Sequence, residues 1–167
     1  MDRFWIGLRA VFYAILFLSM WTGAALIFRP LDKYIPFRIS AALVVPGLAL
    51  VLAGVALCLV TVGFFVFEGR GTPAVFDPPV KFVPHGPYRY IRNPMYVGYV
   101  TALVGLGLSL RSISIVLFAA GSFLTIHAFV VWAEEPGLRR RFGNQYDEYC
   151  RAVARWIPGF TRRRHSP

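Results

Sequence analysis

Charge is what this sequence has least of. Lys, Arg, Asp and Glu make up 16% of its 167 residues, where a soluble domain approaches about a quarter, while hydrophobic residues reach 57%. That balance argues against a soluble globular domain and for an integral membrane protein. Acidic residues are scarcest, eight against 18 Lys and Arg. Of the two cysteines, Cys58 lies inside an apolar run and Cys150 in a basic tail, so no disulfide between them is expected. There is no CxxC and no Cys/His pairing at zinc spacing, which argues against redox and structural-metal chemistry, and no metal site is expected. The P-loop, Gly-x-Ser-x-Gly and HExxH are also missing. Gly69-x-Gly71 and Gly105-x-Gly107 follow no strand, so neither is a dinucleotide fingerprint. The second lies within an apolar run, where small residues let helices approach closely.

Long apolar runs are present instead. Residues 5–28, 40–67, 95–110 and 112–133 are each long enough, or nearly so, to cross a hydrocarbon layer of about 30 Å at about 1.5 Å per helical residue. The first is too long for a signal peptide and no small-residue cleavage site follows it, so it reads as a retained helix. Arg111 alone separates the third and fourth, which predicts a tight helical hairpin. Pro46-Gly47 marks a kink or a late start in the second. The expected fold is all-α, a polytopic membrane protein of about four transmembrane helices. Trp5, Trp21 and Tyr34 fit an interfacial aromatic role. Residues 1–67 read as a two-helix scaffold and 68–167 as the functional core, within one structural domain: a loop over 68–94, a hairpin over 95–133 and a tail over 134–167.

A net charge of +10 invites a nucleic-acid reading, but its distribution argues otherwise. Two basic residues stand before or early in the first span, four lie in 68–94 and eight follow Glu135, 14 together on one side. Arg29, Lys33, Arg38 and Arg111 are the four on the other. The positive-inside rule places the first group, with both termini, in the cytoplasm, as in a prokaryotic inner membrane. The basic tail is expected to lie against anionic headgroups.

Between Glu68 and Pro94 the composition changes abruptly to "EGRGTPAVFDPPVKFVPHGPYRYIRNP". Proline removes donors and resists helix, so this segment is expected to be an extended, ordered loop, its order favoured by Phe76, Phe82, Tyr88 and Tyr90. In the tail, Phe142, Tyr146, Tyr149 and Val153 recur at helical spacing, predicting one short amphipathic helix with Gly159 near its end.

Glu134 and Glu135 close the fourth apolar run. As bare carboxylates they mark a helix end, yet anionic headgroups and the carboxyl end of a helix dipole both disfavour them there, so a cation is expected nearby. His127 stands seven residues earlier, two turns back on one helix face, so both can line one cavity; interhelical hydrogen bonding is the alternative role. At the start of the third run, Asn93 is placed as N-cap and Pro94 near N1. Capping leaves His85, Tyr88, Arg89 and Arg92 unexplained. A helix amino terminus flanked by aromatics suits a carboxylate and a stacked planar base.

Gly86-Pro87-Tyr88-Arg89-Tyr90, Arg92-Asn93-Pro94-Met95-Tyr96 with Gly98, Glu134-Glu135, Leu138, Phe142-Gly143, Tyr146 and Tyr149 together resemble the carboxyl-terminal half of the isoprenylcysteine carboxyl methyltransferase and phospholipid methyltransferase superfamily. The resemblance covers about residues 68–158. It implies a membrane-embedded enzyme using S-adenosylmethionine from the cytoplasmic side. Carried over by position, Lys81, Phe82 and Val83 would run along the cofactor through backbone contacts, with His85 and Gly86 beside them. Tyr88, Asn93, Pro94, Met95 and Tyr96 would enclose its adenosyl and methionyl parts. Glu134 or Glu135 would meet the cationic groups and Arg92 the carboxylate. An acceptor that must lose a proton needs a base, for which His127 and Glu134 are the catalytic candidates. Eukaryotic isoprenylcysteine enzymes carry an Arg one turn before the Glu pair, where this chain has Val130. The acceptor implied is lipophilic and membrane-resident, either isoprenylcysteine-like or a phospholipid amine, with no obligate protein partner. Two other readings remain: an NADPH-dependent, sterol-reductase-like enzyme using Arg139-Arg140-Arg141, and a non-enzymatic membrane scaffold.

Overall fold

A computed structural model of the chain describes residues 3–69 and 82–159. Lys81 and the last basic residues of the tail lie outside them. Helix α1 spans Arg3–Phe28, α2 Val44–Phe64, α3 Pro94–Ser109 and α4 Ile113–Phe129. Three continuous helical stretches, Trp5–Tyr34, Ala41–Glu68 and Ile113–Phe142, are long and apolar enough to cross a membrane, and Pro94–Ser109 is a shorter apolar helix. The architecture is that of an all-α membrane protein; among the described residues the only β-type pairing is a bridge between Ile91 and Ala154.

Proline sets where α2 begins. A 3₁₀ turn over Ala41–Leu43, with the Ser40 hydroxyl accepting from Ala42 N at 3.3 Å, leads into α2. Pro46 falls in the first turn, where its missing N–H removes no helical bond, so Pro46-Gly47 marks a late start.

Helices α2 and α3 touch through glycine. A Cβ on Gly47 would lie 2.7 Å from Ser109 N, and one on Gly105 2.6 Å from Gly47 O. Two turns along, a Cβ on Gly54 would run into the Gly98 carbonyl. In lipid no hydrophobic force drives helices together, so such backbone proximity supplies the attraction through van der Waals contact. The Cys58 thiol extends the seam by donating to Met95 O at 3.4 Å.

The α3–α4 hairpin turns at Arg111, whose φ of 54° is left-handed. Its amino-terminal cap is shared: the Ser112 hydroxyl accepts from Ile115 N at 3.3 Å, and Asp32, from the 3₁₀ turn Arg29–Tyr34, accepts from Ser114 N at 2.8 Å. The connection after α1 is thereby tied to the hairpin tip.

Three expectations need correction. Trp21 is not interfacial: its ring meets Tyr99 at 5.7 Å and Phe118 at 6.0 Å inside the bundle. Trp5 and Tyr34 are exposed, as an interfacial role requires. Glu134 and Glu135 do not end the fourth helix, which passes through a π segment, Val130–Glu134, into α5, Glu135–Phe142. The tail then holds a second helix, α6, over Asn144–Ala152, because Gly143 at φ 57° breaks the path between them. That helix ends well before Gly159. Phe142, Tyr146 and Tyr149 nevertheless share one target, the Phe82 ring, with centroids 5.1–6.0 Å away.

Candidate functional site

The candidate site lies at the open end of the α3–α4 hairpin. Pro94 starts α3, and Asn93 O accepts the first bond, from Val97 N at 3.1 Å. Asn93 occupies the N-cap position without capping through its side chain, whose Nδ2 donates to Arg155 O at 3.2 Å. The amino terminus of α3 is therefore left without a side-chain cap.

Upstream, Gly86–Arg89 forms a 3₁₀ turn. Gly86 has φ 56°, and a Cβ there would strike the Phe64 ring at the end of α2, so glycine is required twice over. The turn buries Tyr88, whose ring lies 5.3 Å from Phe65. Burial, then the neighbouring Glu134 carboxylate, holds the Tyr88 phenol well above its ordinary range. The tail clamps this turn from outside: Tyr149 Oη donates to Tyr88 O at 2.7 Å and Arg92 N to Ala154 O at 2.8 Å.

The two glutamates differ in their partners. Glu135, 3% exposed, is held by Arg155 through two bonds of 2.8 and 3.0 Å and by Arg92 Nη1 at 2.9 Å. The same Arg92 nitrogen donates to Cys150 Sγ at 2.9 Å. The cations that the Glu pair needs thus serve Glu135. Glu134 has another environment: Tyr96 Oη donates to its Oε2 at 2.9 Å, and among the described residues no cation pairs with it.

His127 and Glu134 have separate hydrogen-bond partners. On a regular α-helix their seven-residue spacing would stack them, but the π segment Val130–Glu134 widens the turn between them. His127 Nδ1 instead accepts from Trp156 Nε1 at 3.0 Å, within a cluster that includes Phe123. A neutral imidazole accepting at Nδ1 carries its proton on Nε2, so it has no free lone pair while that bond stands.

The remaining sequence-selected positions flank this surface. Phe82 packs on α5 and α6, Val83 is buried, and His85 precedes the 3₁₀ turn. Pro94 is buried and Met95 packs against the core at the start of α3. Of the tail arginines, Arg139 pairs with Asp147 at 3.1 Å and Arg141 lies over the Phe142 ring. Sequence reasoning missed Phe64, Phe65, Arg155 and Trp156. Their roles depend on partners at least 20 residues away, and no local spacing signals such pairs. Among the described residues, no group of three or more His, Cys, Asp or Glu could hold a metal ion.

Comparison with known proteins connects this geometry to a family. Residues 42–145, well over half of the chain, match the family described as phospholipid methyltransferase. The chain belongs to the phospholipid methyltransferase family. The matched region begins just before α2 and ends at the start of α6, so it includes both residues of the Tyr96–Glu134 bond. Family membership and the apolar helices together support a membrane methyltransferase. The chain is also 32% identical over 78 residues to the nickel-cobalt-cadmium resistance protein NccN of Alcaligenes xylosoxydans xylosoxydans. That stretch is 47% of this chain and 36% of NccN, so the match spans about a third of that relative's length.

Proposed function

We propose that the protein transfers the methyl group of S-adenosylmethionine to a lipophilic acceptor resident in the membrane. One observation carries the reading: Glu134 is a half-buried carboxylate that receives a hydroxyl but, among the described residues, no cation, while its neighbour Glu135 takes two arginines. A partly buried charge without a counter-charge is disfavoured, and a ligand bearing an ammonium group removes that cost. The other surroundings suit the same ligand. The uncapped amino terminus of α3 can receive a carboxylate, and the phenol rings of Tyr88 and Tyr96 can flank an adenine.

When bound, S-adenosylmethionine supplies an electrophilic methyl group on a sulfonium sulfur. The chain's own contribution is orientation and exclusion of water. Glu134, positioned by Tyr96, would hold the ammonium, with Met95 and Tyr96 presenting backbone N–H groups toward the carboxylate. Arg92 and Glu135, bonded to each other and to the tail, would keep the loop and the helix start in register, with Arg92 Nη2 left for the carboxylate. Phe82, Val83, His85 and Gly86 would form the loop-side wall, continuing toward Lys81. His127 would become a base only when its Trp156 bond opens. A carboxylate or thiolate acceptor requires none.

Val130 supports an acceptor other than a prenylcysteine carboxylate. It is fully buried in the apolar core, so its position offers no cation to orient a carboxylate. A phospholipid amine fits both this position and the family description. We place the cofactor side in the cytoplasm, where 14 of the 18 Lys and Arg residues would lie.

The test is saturable binding of labelled S-adenosylmethionine to the detergent-purified protein. Glu134→Gln is expected to weaken it at least about tenfold, the scale of a charge-assisted bond. Absent binding, or binding indifferent to that substitution, would overturn the proposal. Lipid extracts incubated with protein and cofactor would identify the acceptor by its gain of a methyl group.

A further inference from the structure

The opposite end of the bundle holds a second polar constellation that methyl transfer does not use. An open cavity of about 450 Å³ separates the connection after α1 from the α3–α4 tip, lined by Arg29, Asp32, Arg38, Ile39, Leu110 and Arg111. From Ile113 to Glu134 the helix rises about 1.5 Å per residue, placing the cavity about 30 Å from the Tyr96–Glu134 bond. The two sites therefore occupy opposite ends of the bundle.

Charge is unbalanced in this cavity. Three guanidinium groups face one carboxylate, and Asp32 is already engaged in capping α4 through Ser114 N at 2.8 Å. Arg111 Nε donates to Ile39 O at 2.9 Å, which fixes the side chain across the gap and leaves its terminal nitrogens free of ion pairs. Among the described residues, no salt bridge engages Arg38, and Arg29 acts on the Asp32 carboxylate only at longer range. These residues stand on the side of the bundle that the charge distribution otherwise keeps poor in cations, so their clustering calls for an anion.

The surroundings specify which anion. Tyr34 and Phe37, in the same connection, are 72% and 73% exposed, and Val45 at the start of α2 is 74% exposed. Such apolar surface beside a cationic cavity matches the boundary between lipid headgroups and acyl chains. We propose that this cavity binds the phosphate of an anionic phospholipid, with Arg29, Arg38 and Arg111 as its donors and the neighbouring apolar surface receiving the acyl chains. Planar guanidinium groups pair with phosphate oxygens in the two-pronged manner that favours arginine over lysine.

The test uses the full chain in mild detergent, titrated with phosphatidylglycerol or phosphatidylcholine and read by native mass spectrometry. One phosphatidylglycerol is expected to bind in preference to phosphatidylcholine. Arg29→Gln with Arg38→Gln should raise its apparent Kd about tenfold or more, since each charge-assisted bond contributes on that scale. Arg38→Gln alone should give a smaller loss, and it keeps the test open if the double variant folds poorly. Gln145→Ala, on an exposed residue at the other end, should leave that binding unchanged. Equal retention of phosphatidylglycerol by the wild-type and double-variant proteins would overturn the assignment, as would equal losses for both lipids. Displacement of the lipid by inorganic phosphate at matched concentration would reassign the cavity to a soluble anion.

Discussion

The Tyr96 hydroxyl donates to Glu134 Oε2 at 2.9 Å, joining the first turn of α3 to the π segment that follows α4. This bond spans the open end of the hairpin and brings together two residues 38 positions apart. Tyr96→Phe removes the one hydrogen-bond donor that a half-buried carboxylate has among the described residues, which should cost about 1–3 kcal/mol in stability. Cofactor should recover part of that loss if its ammonium takes the vacant place. Thermal unfolding of the variant with and without S-adenosylmethionine measures both effects, and an unchanged midpoint without ligand would contradict the first.

Glu135 should behave differently from its neighbour. Removing its carboxylate strands Arg92, which is 12% exposed, and frees Arg155, so Glu135→Ala should destabilise by about 3–5 kcal/mol. The tail should detach from the loop at the same time, opening the α5–α6 region to limited proteolysis. A double-mutant cycle with Arg155→Ala should show coupling above about 1 kcal/mol.

The glycine seam gives a packing prediction. Gly54→Ala places a methyl group against the Gly98 carbonyl and must push α2 from α3, at about 1–3 kcal/mol. Gly63→Ala, where a Cβ meets nothing within 4 Å, should be neutral or slightly stabilising. Comparing the two variants by unfolding separates overpacking from a general effect of losing glycine.

Tyrosine ionisation supplies a pH test. Burial is the main cause that raises the phenols of Tyr88, Tyr146 and Tyr149 above their ordinary value of 10.0. A phenol raised in the folded state contributes its full stability below that value and loses it as pH climbs, because the unfolded chain ionises first. Stability should therefore decline above about pH 10, and tyrosinate absorbance from these three should appear with unfolding rather than before it. Early ionisation of all eight tyrosines in the folded protein would contradict their burial.

Releasing His127 tests its place in the mechanism. Trp156→Phe removes the donor to Nδ1 while keeping an aromatic ring against Phe123. If His127 acts as a base only once this bond opens, the variant should raise kcat with little change in KM. An unchanged kcat would leave His127 with a purely structural role, holding the tail against α4.

The apolar runs at 5–28, 40–67, 95–110 and 112–133 were sufficient to indicate an all-α membrane protein, because a backbone in lipid must satisfy its hydrogen bonds within each span. Local chemistry likewise set the starts of α2 and α3 at Pro46 and Pro94, and the motif order from Gly86 to Tyr149 pointed to the family that residues 42–145 match. Tertiary structure decided the division of labour within the site. Glu134 and Glu135 are adjacent and chemically identical in sequence, yet one faces Tyr96 and the other two arginines. A π turn separates His127 from Glu134, and the return of the tail brings in Arg155 and Trp156. Side-chain partnership depends on where distant backbone segments meet, and spacing along one helix carries no information about them.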